Sequence, residues 1–126
     1  MHYTNEEIME LDRIFRLNLI NSITGIKPGN LIGTKSKDGL ANLAVFSSVV
    51  HLGSNPALIG FVFRPQKDSK QDTYRNILQT ESWTINHIPL NKTENAHYTS
   101  AKFETSESEF EKCGLTPEYL ADVTAP

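Results

Sequence analysis

Ser47-Ser48, Arg64 and Asp72-Thr73 are the residues whose types and spacing could do chemistry together. Two adjacent hydroxyls, a guanidinium and a threonine at a helix start are the donors that a large, partly anionic ligand needs. A helix N-terminus offers free N–H groups and a favourable dipole to a phosphate. Thr73 adds a hydroxyl there, and Arg64 can add a bidentate charge-assisted pair. Asp72 opposes an anion, so binding must fall to Thr73 and the backbone. A plainer reading stays open beside this one. Serines fill tight packing positions and bond to nearby backbone, and an arginine beside an Asp N-cap is often simply solvated.

Successive residues of a strand point to opposite faces. Ser47 and Ser48 can therefore reach one ligand only if their strand bulges or ends between Phe46 and Val49. That is a structural expectation.

Other chemistries lack their residues. The chain has no GxGxxG, Walker loop, HExxH or GxSxG, which argues against a Rossmann unit, a P-loop NTPase, a zincin and an α/β-hydrolase. The histidines His2, His51, His87 and His97 do not stand at metal-ligand spacings, so no metal site is expected. His51 and His87 fall on predicted strands and could meet in space. The single cysteine, Cys113, excludes an intramolecular disulfide framework and a multi-cysteine metal site, and reads as a small packing residue.

The totals set the frame for these residues. At 126 residues and a net charge of −3, there is room for one domain and no basic footprint for nucleic acid. No window approaches the roughly 18 apolar residues of a membrane span. The N-terminal MHYTNEEIMELDR is acidic and has no apolar core of a signal peptide. A cytoplasmic protein is the default expectation.

The positioning elements can be read in order. Thr4 to Phe15 predicts a helix with Thr4 and Glu7 as a capping box. Arg16–Ile23 reads as extended, since Leu17 and Leu19 alternate with polar residues. Residues 30–36 form a short strand, and Lys37-Asp38-Gly39 is a hairpin signal. The strand at 41–52 pairs back on it, and after Gly53-Ser54-Asn55-Pro56 a third strand at 57–64 completes a meander. Asp72–Thr80 predicts a helix capped by Asp72, and residues 82–88 a strand around Trp83 and Ile85. Residues 91–100 and 106–112 predict short helices, the second with Ser106 and Glu109 as a capping box and Gly114 as its stop. Trp83 and Tyr74 read as core. The order fits a mainly β fold, an antiparallel barrel or sandwich with peripheral helices.

Several stretches match a known pattern in sequence order. These are NLAVFSS at 42–48, SNPALIGF at 54–61, DTYRNIL at 72–78 and WTINH at 83–87. Together they resemble the flavin reductase-like family, the FMN-binding split-barrel group. Asp38-Gly39, Asn42, Ser47, Pro56, Thr73, Asn76-Ile77 and Ile85-Asn86 carry the resemblance across roughly residues 16–115.

The resemblance implies a split β-barrel, usually a homodimer, holding FMN near the subunit interface. It implies reduction of flavin by NADH or NADPH, or other redox chemistry on bound flavin. Asn42 and the backbone of Val45, Phe46 and Ser47 would lie by the isoalloxazine ring. Ser47 and Ser48 would approach the ribityl chain and phosphate, and Arg64 and Thr73 would hold the phosphate. His87, Ser100, Ala101 and Lys102 would border a substrate pocket. The family often has a basic residue close before the threonine; here Lys70 stands three before it and Asp72 is adjacent. Family domains also run past this length, so residues 1–126 are expected to be one flavin reductase-like domain, the N-terminal portion of a longer one, with its barrel incomplete at the C-terminus. The partners implied are flavin and nicotinamide, with no nucleic acid and no membrane. Two alternatives share the fold: a module that binds flavin without reducing it, and a structural or interaction domain.

Overall fold

The computed structural model describes residues 2–64 and 71–126. Pro65 and Lys70 lie outside the described residues. Two helices open the chain, α1 (Asn5–Glu10) and α2 (Arg13–Ser22). The Thr4–Glu7 capping box forms in both directions, at 3.2 Å and 2.7 Å. The expected single helix to Phe15 is corrected, and so is the extended segment at 16–23. Asp12 is a second N-cap whose carboxylate accepts from the N–H groups of Ile14 and Phe15 at 2.9 and 3.1 Å. That cap breaks the first helix and starts another, which overrides the alternation of Leu17 and Leu19.

β1 (Asn30–Lys35) and β2 (Ala41–Phe46) form the expected hairpin, with Gly39 at a φ of 91° in its turn. Only glycine adopts that conformation cheaply. β1 also pairs antiparallel with β5 (Thr84–His87), so the first sheet runs β2-β1-β5. β3 (Val49–Ser54) and β4 (Ala57–Phe61) form a separate two-stranded sheet, with a bulge between His51 and Gly53. The expected continuous strand at 41–52 is thus two strands, and the meander is divided between two sheets. The break falls at Ser47–Ser48, as the reading of two neighbouring serines required.

The first sheet has two differently filled faces. Leu31 and Leu43 project to one side and pack with Ala96 of α4 (Thr93–Tyr98) and Phe110 of α5 (Glu109–Lys112). A 3-10 turn, Leu90–Lys92, leads into α4. Ile32, Thr34 and Asn42 project to the other side, beneath α3 (Asp72–Thr80), which buries Thr73 and Asn76 against them. Two expected caps are corrected. Gln71, not Asp72, precedes α3, and Asp72 is its first residue, ion-paired with Arg75. α5 starts at Glu109, with Ser108 before it, and the Ser106–Glu109 capping box is absent because Glu109 reaches β2 instead.

An aromatic cluster joins the two sheets where the chain breaks. Phe46 meets Phe61 and Phe63 at 4.9 and 5.4 Å between ring centroids, and Phe61 meets Trp83 at 4.6 Å. Phe63 meets Tyr74 of α3 at 5.2 Å, so the cluster also fixes the helix to the joint. These pairs are tilted or edge-on, the arrangement favoured by aromatic quadrupoles.

Candidate functional site

Antiparallel pairing fixes which backbone groups of β2 face outward. Ser36 N–H donates to Leu40 C=O, so the bonded pairs continue through Thr34–Asn42, Ile32–Ala44 and Asn30–Phe46. Ala41, Leu43 and Val45 therefore turn their N–H and C=O groups to the free edge of the sheet. The side chains of Ser108 and Glu109 cover the first part of that edge. Ser108 Oγ donates to Ala41 C=O at 2.7 Å, and Glu109 Oε2 accepts from Leu43 N–H at 3.2 Å. Among the described residues, nothing bonds to the outward groups of Val45. The open edge leads directly into the bend at Ser47, whose side chain is exposed.

Asn42 sits at the centre of a buried network. Its amide orientation follows from its neighbours: Oδ1 accepts from the hydroxyls of Thr73 at 2.9 Å and Thr34 at 3.3 Å, and Nδ2 donates to Glu109 Oε2 at 3.3 Å. Asn76 Nδ2 donates to Thr34 Oγ1 at 3.2 Å. Asn76 Oδ1 is buried and has no partner among the described residues. Burial raises the Glu109 carboxyl above its ordinary range, and the Asp72 carboxylate adds to that. Burial and the nearby Glu109 likewise push the Cys113 thiol up.

Sequence reasoning grouped residues that the fold separates by role. Asn42 and Thr73 meet, but their polar atoms serve each other and both residues are only 6% exposed. Ser48 is also occupied: its hydroxyl donates to Val62 C=O at 3.0 Å and accepts from Val62 N–H at 3.2 Å. This extends the β3–β4 pairing beyond Phe61, the plainer role read for a serine at this place. Ser47 and Arg64 remain exposed, and Phe46 is fixed in the aromatic cluster. His87 lies in one row with Phe46, each opposite Asn30 on either side of β1. His51 lies on the other sheet. Ser100 turns its hydroxyl to the His97 carbonyl, and among the described residues neither Ser100 nor Lys102 bonds to the other candidates.

Thr34, Ser108 and Glu109 were not legible as site residues. Asn76 was visible only as part of the resemblance. A cleft of about 470 Å³ lies between the β1–β2 hairpin, the start of α3 and residues 104–107. Asp38, Asp72, Glu104 and Glu107 outnumber Arg75 there, so this side of α3 repels an anion.

Two antiparallel sheets, divided at one bend and joined by an aromatic cluster, define a protein of the split-barrel class. The sheets are open, and the described residues form no closed barrel. The flavin reductase like domain family matches residues 26–126, and the chain belongs to that family. An assigned flavin reductase with a split barrel domain, from Shewanella frigidimarina NCIMB 400, is 48% identical with a TM-score of 0.91; the match covers 100% of this chain and 62% of that one. The flavoredoxin of Desulfovibrio vulgaris (Miyazaki F) is 27% identical with a TM-score of 0.70, covering 79% of this chain and 52% of that one. An uncharacterized protein of Aquifex aeolicus (strain VF5) is 32% identical over 121 residues, which are 94% of this chain and 61% of that protein. The chain thus spans about three fifths of the length of the first relatives it matches. Among the described residues no helix is long and apolar enough to cross a membrane.

Proposed function

We propose that the chain binds FMN and takes part in its reduction by NADH or NADPH, as a flavoprotein oxidoreductase of the flavin reductase class. The observation that carries this reading is the open edge of β2 at Val45, running into the exposed bend at Ser47. An N–H and a C=O side by side fit the polar edge of an isoalloxazine ring, which itself offers donors and acceptors. Ser47 adds a hydroxyl beside that edge. Arg64, exposed two residues after Val62, whose backbone pairs with Ser48 of the bend, fits the phosphate.

Bound FMN would supply the two-electron chemistry, and the protein would bind, orient and shield it. Val45 would hold the ring edge through its backbone. Phe46 keeps the bend in place from the aromatic cluster. Asn42 and Thr73 act by positioning, since their polar atoms bond each other. His87, in the row of Phe46, would border a second substrate, and the family resemblance alone assigns Ser100 and Lys102 to the same pocket. No side-chain acid or base is required.

A homodimer belongs to the same proposal. Leu52, Leu58 and Ile59 of the β3–β4 sheet are each at least half exposed, which leaves apolar surface on both faces of that sheet in support of association. A cytoplasmic location is consistent with Cys113 as a free, buried thiol. That residues 1–126 form the N-terminal portion of a longer domain is likewise a proposal, supported by the share of each relative that they cover. The test is uptake of FMN followed by bleaching with NADH or NADPH. Uptake without bleaching by either nicotinamide favours the non-reducing flavin-binding module, and no uptake favours the interaction domain.

A further inference from the structure

The edge of β2 is closed by side chains from a distant segment, and the closure stops short of the open backbone at Val45. Ser108 supplies a donor to Ala41 C=O and Glu109 an acceptor to Leu43 N–H, so the pair imitates a neighbouring strand for two residues. Glu109 also holds the Asn42 side chain through the same Oε2. It therefore grips β2 by its backbone and by a side chain that is itself bonded to α3 through Thr73. Beyond these bonds the outward groups of the edge are Leu43 C=O and then the N–H and C=O of Val45.

We infer that Glu109, aided by Ser108, is a positioning residue for the flavin ring, fixing β2 and α3 together so that the Val45 edge and the Ser47 bend stand at a set place. The inference rests on the FMN-binding reading above. A shift of β2 toward or away from α5 would carry Val45 with it, because two residues of extended strand separate them rigidly. Without the Glu109 acceptor, Leu43 N–H would be left to share the Asn42 oxygen at 3.2 Å with the Thr34 and Thr73 hydroxyls, which weakens the hold on β2. The acceptor is what matters in this role. A glutamine at 109 keeps a carbonyl oxygen for both bonds, and an alanine keeps none.

The full chain and its E109A, E109Q and S108A variants are titrated with FMN by quenching of flavin fluorescence. Visible circular dichroism of the bound flavin reports the placing of the ring. E109A is expected to weaken FMN binding about tenfold and to alter the dichroic bands, through loss of the hydrogen bonds to the side chain at 109. E109Q should return both to within about twofold, and S108A should fall between E109A and wild type. Wild-type affinity and spectrum in E109A overturn the inference, and so does an E109Q as weak as E109A. If E109A shows no cooperative thermal transition, S108A decides, and an unchanged S108A overturns it. A wild-type chain that takes up no FMN removes the FMN reading and this inference with it. Wild-type binding with an indifferent E109A removes the inference alone.

Discussion

The Thr73 hydroxyl donates to the Asn42 amide oxygen at 2.9 Å, across 31 residues of sequence. This bond ties the first turn of α3 to the strand that ends in the Ser47 bend. The two groups serve each other, so in the proposed flavin site this pair would act structurally.

Thr73→Val removes the donor and keeps the shape. It should cost about 1–2 kcal/mol in a denaturant titration, because the Asn42 oxygen loses its shorter bond inside the fold. Thr73→Ser keeps the hydroxyl and should cost under about half of that. A Thr73→Val chain of unchanged stability that no longer binds FMN would show instead that the hydroxyl touches the ligand.

Arg64 is exposed and makes no described ion pair, so its removal should leave the melting temperature alone. Arg64→Ala is expected to weaken FMN about tenfold and riboflavin hardly at all, because only FMN carries the phosphate. Lys37→Ala, a surface change in the hairpin turn, should affect neither. Equal losses for the two flavins would place Arg64 away from the phosphate.

The two neighbouring serines should separate by measurement. Ser48→Ala takes both bonds from Val62 and should cost about 1 kcal/mol of stability. Ser47→Ala removes an exposed hydroxyl and should be neutral for stability, while weakening FMN. The reverse pattern would mean that the bend faces away from the ligand.

Much of the fold was legible where its causes are local. The Thr4–Glu7 box, the Asp38-Gly39 hairpin and the span 72–80 each depend on residues a turn apart, and each formed. The division at Ser47–Ser48 followed only from asking how two neighbouring side chains could face one ligand. Apolar periodicity runs through Phe46 and Val49 without a mark. α2 was misread because Leu17 and Leu19 imitate a strand, while Asp12, its cap, lay inside the helix assigned to Thr4–Phe15. The site was less legible. Glu109 and Leu43 are 66 residues apart, and a carboxylate three residues after Ser106 reads locally as a capping box. Nothing short-range shows that it serves a strand edge.

Glu109 makes stability depend on pH with a definite sign. Burial, helped by the Asp72 carboxylate, raises its folded value above the ordinary glutamate range; Asp72 and Cys113 are the titratable groups whose charges couple to it. Its contribution is full below the unfolded value of about 4.3 and is lost as pH rises through the raised folded value. Glu109→Gln has no proton to lose. The melting temperature of wild type minus that of Glu109→Gln should therefore fall as pH is raised from about 4 to about 7. A flat difference would show that the carboxyl is not held up by its surroundings.

The central claim is flavin binding with nicotinamide reduction, and one spectrum tests it most directly. The purified chain is mixed with FMN, freed of excess by gel filtration, and treated with NADH and then NADPH without oxygen. A retained flavin band that one of the two nicotinamides bleaches is the expected result. A colourless protein after filtration, with no change in FMN fluorescence on titration, would contradict it.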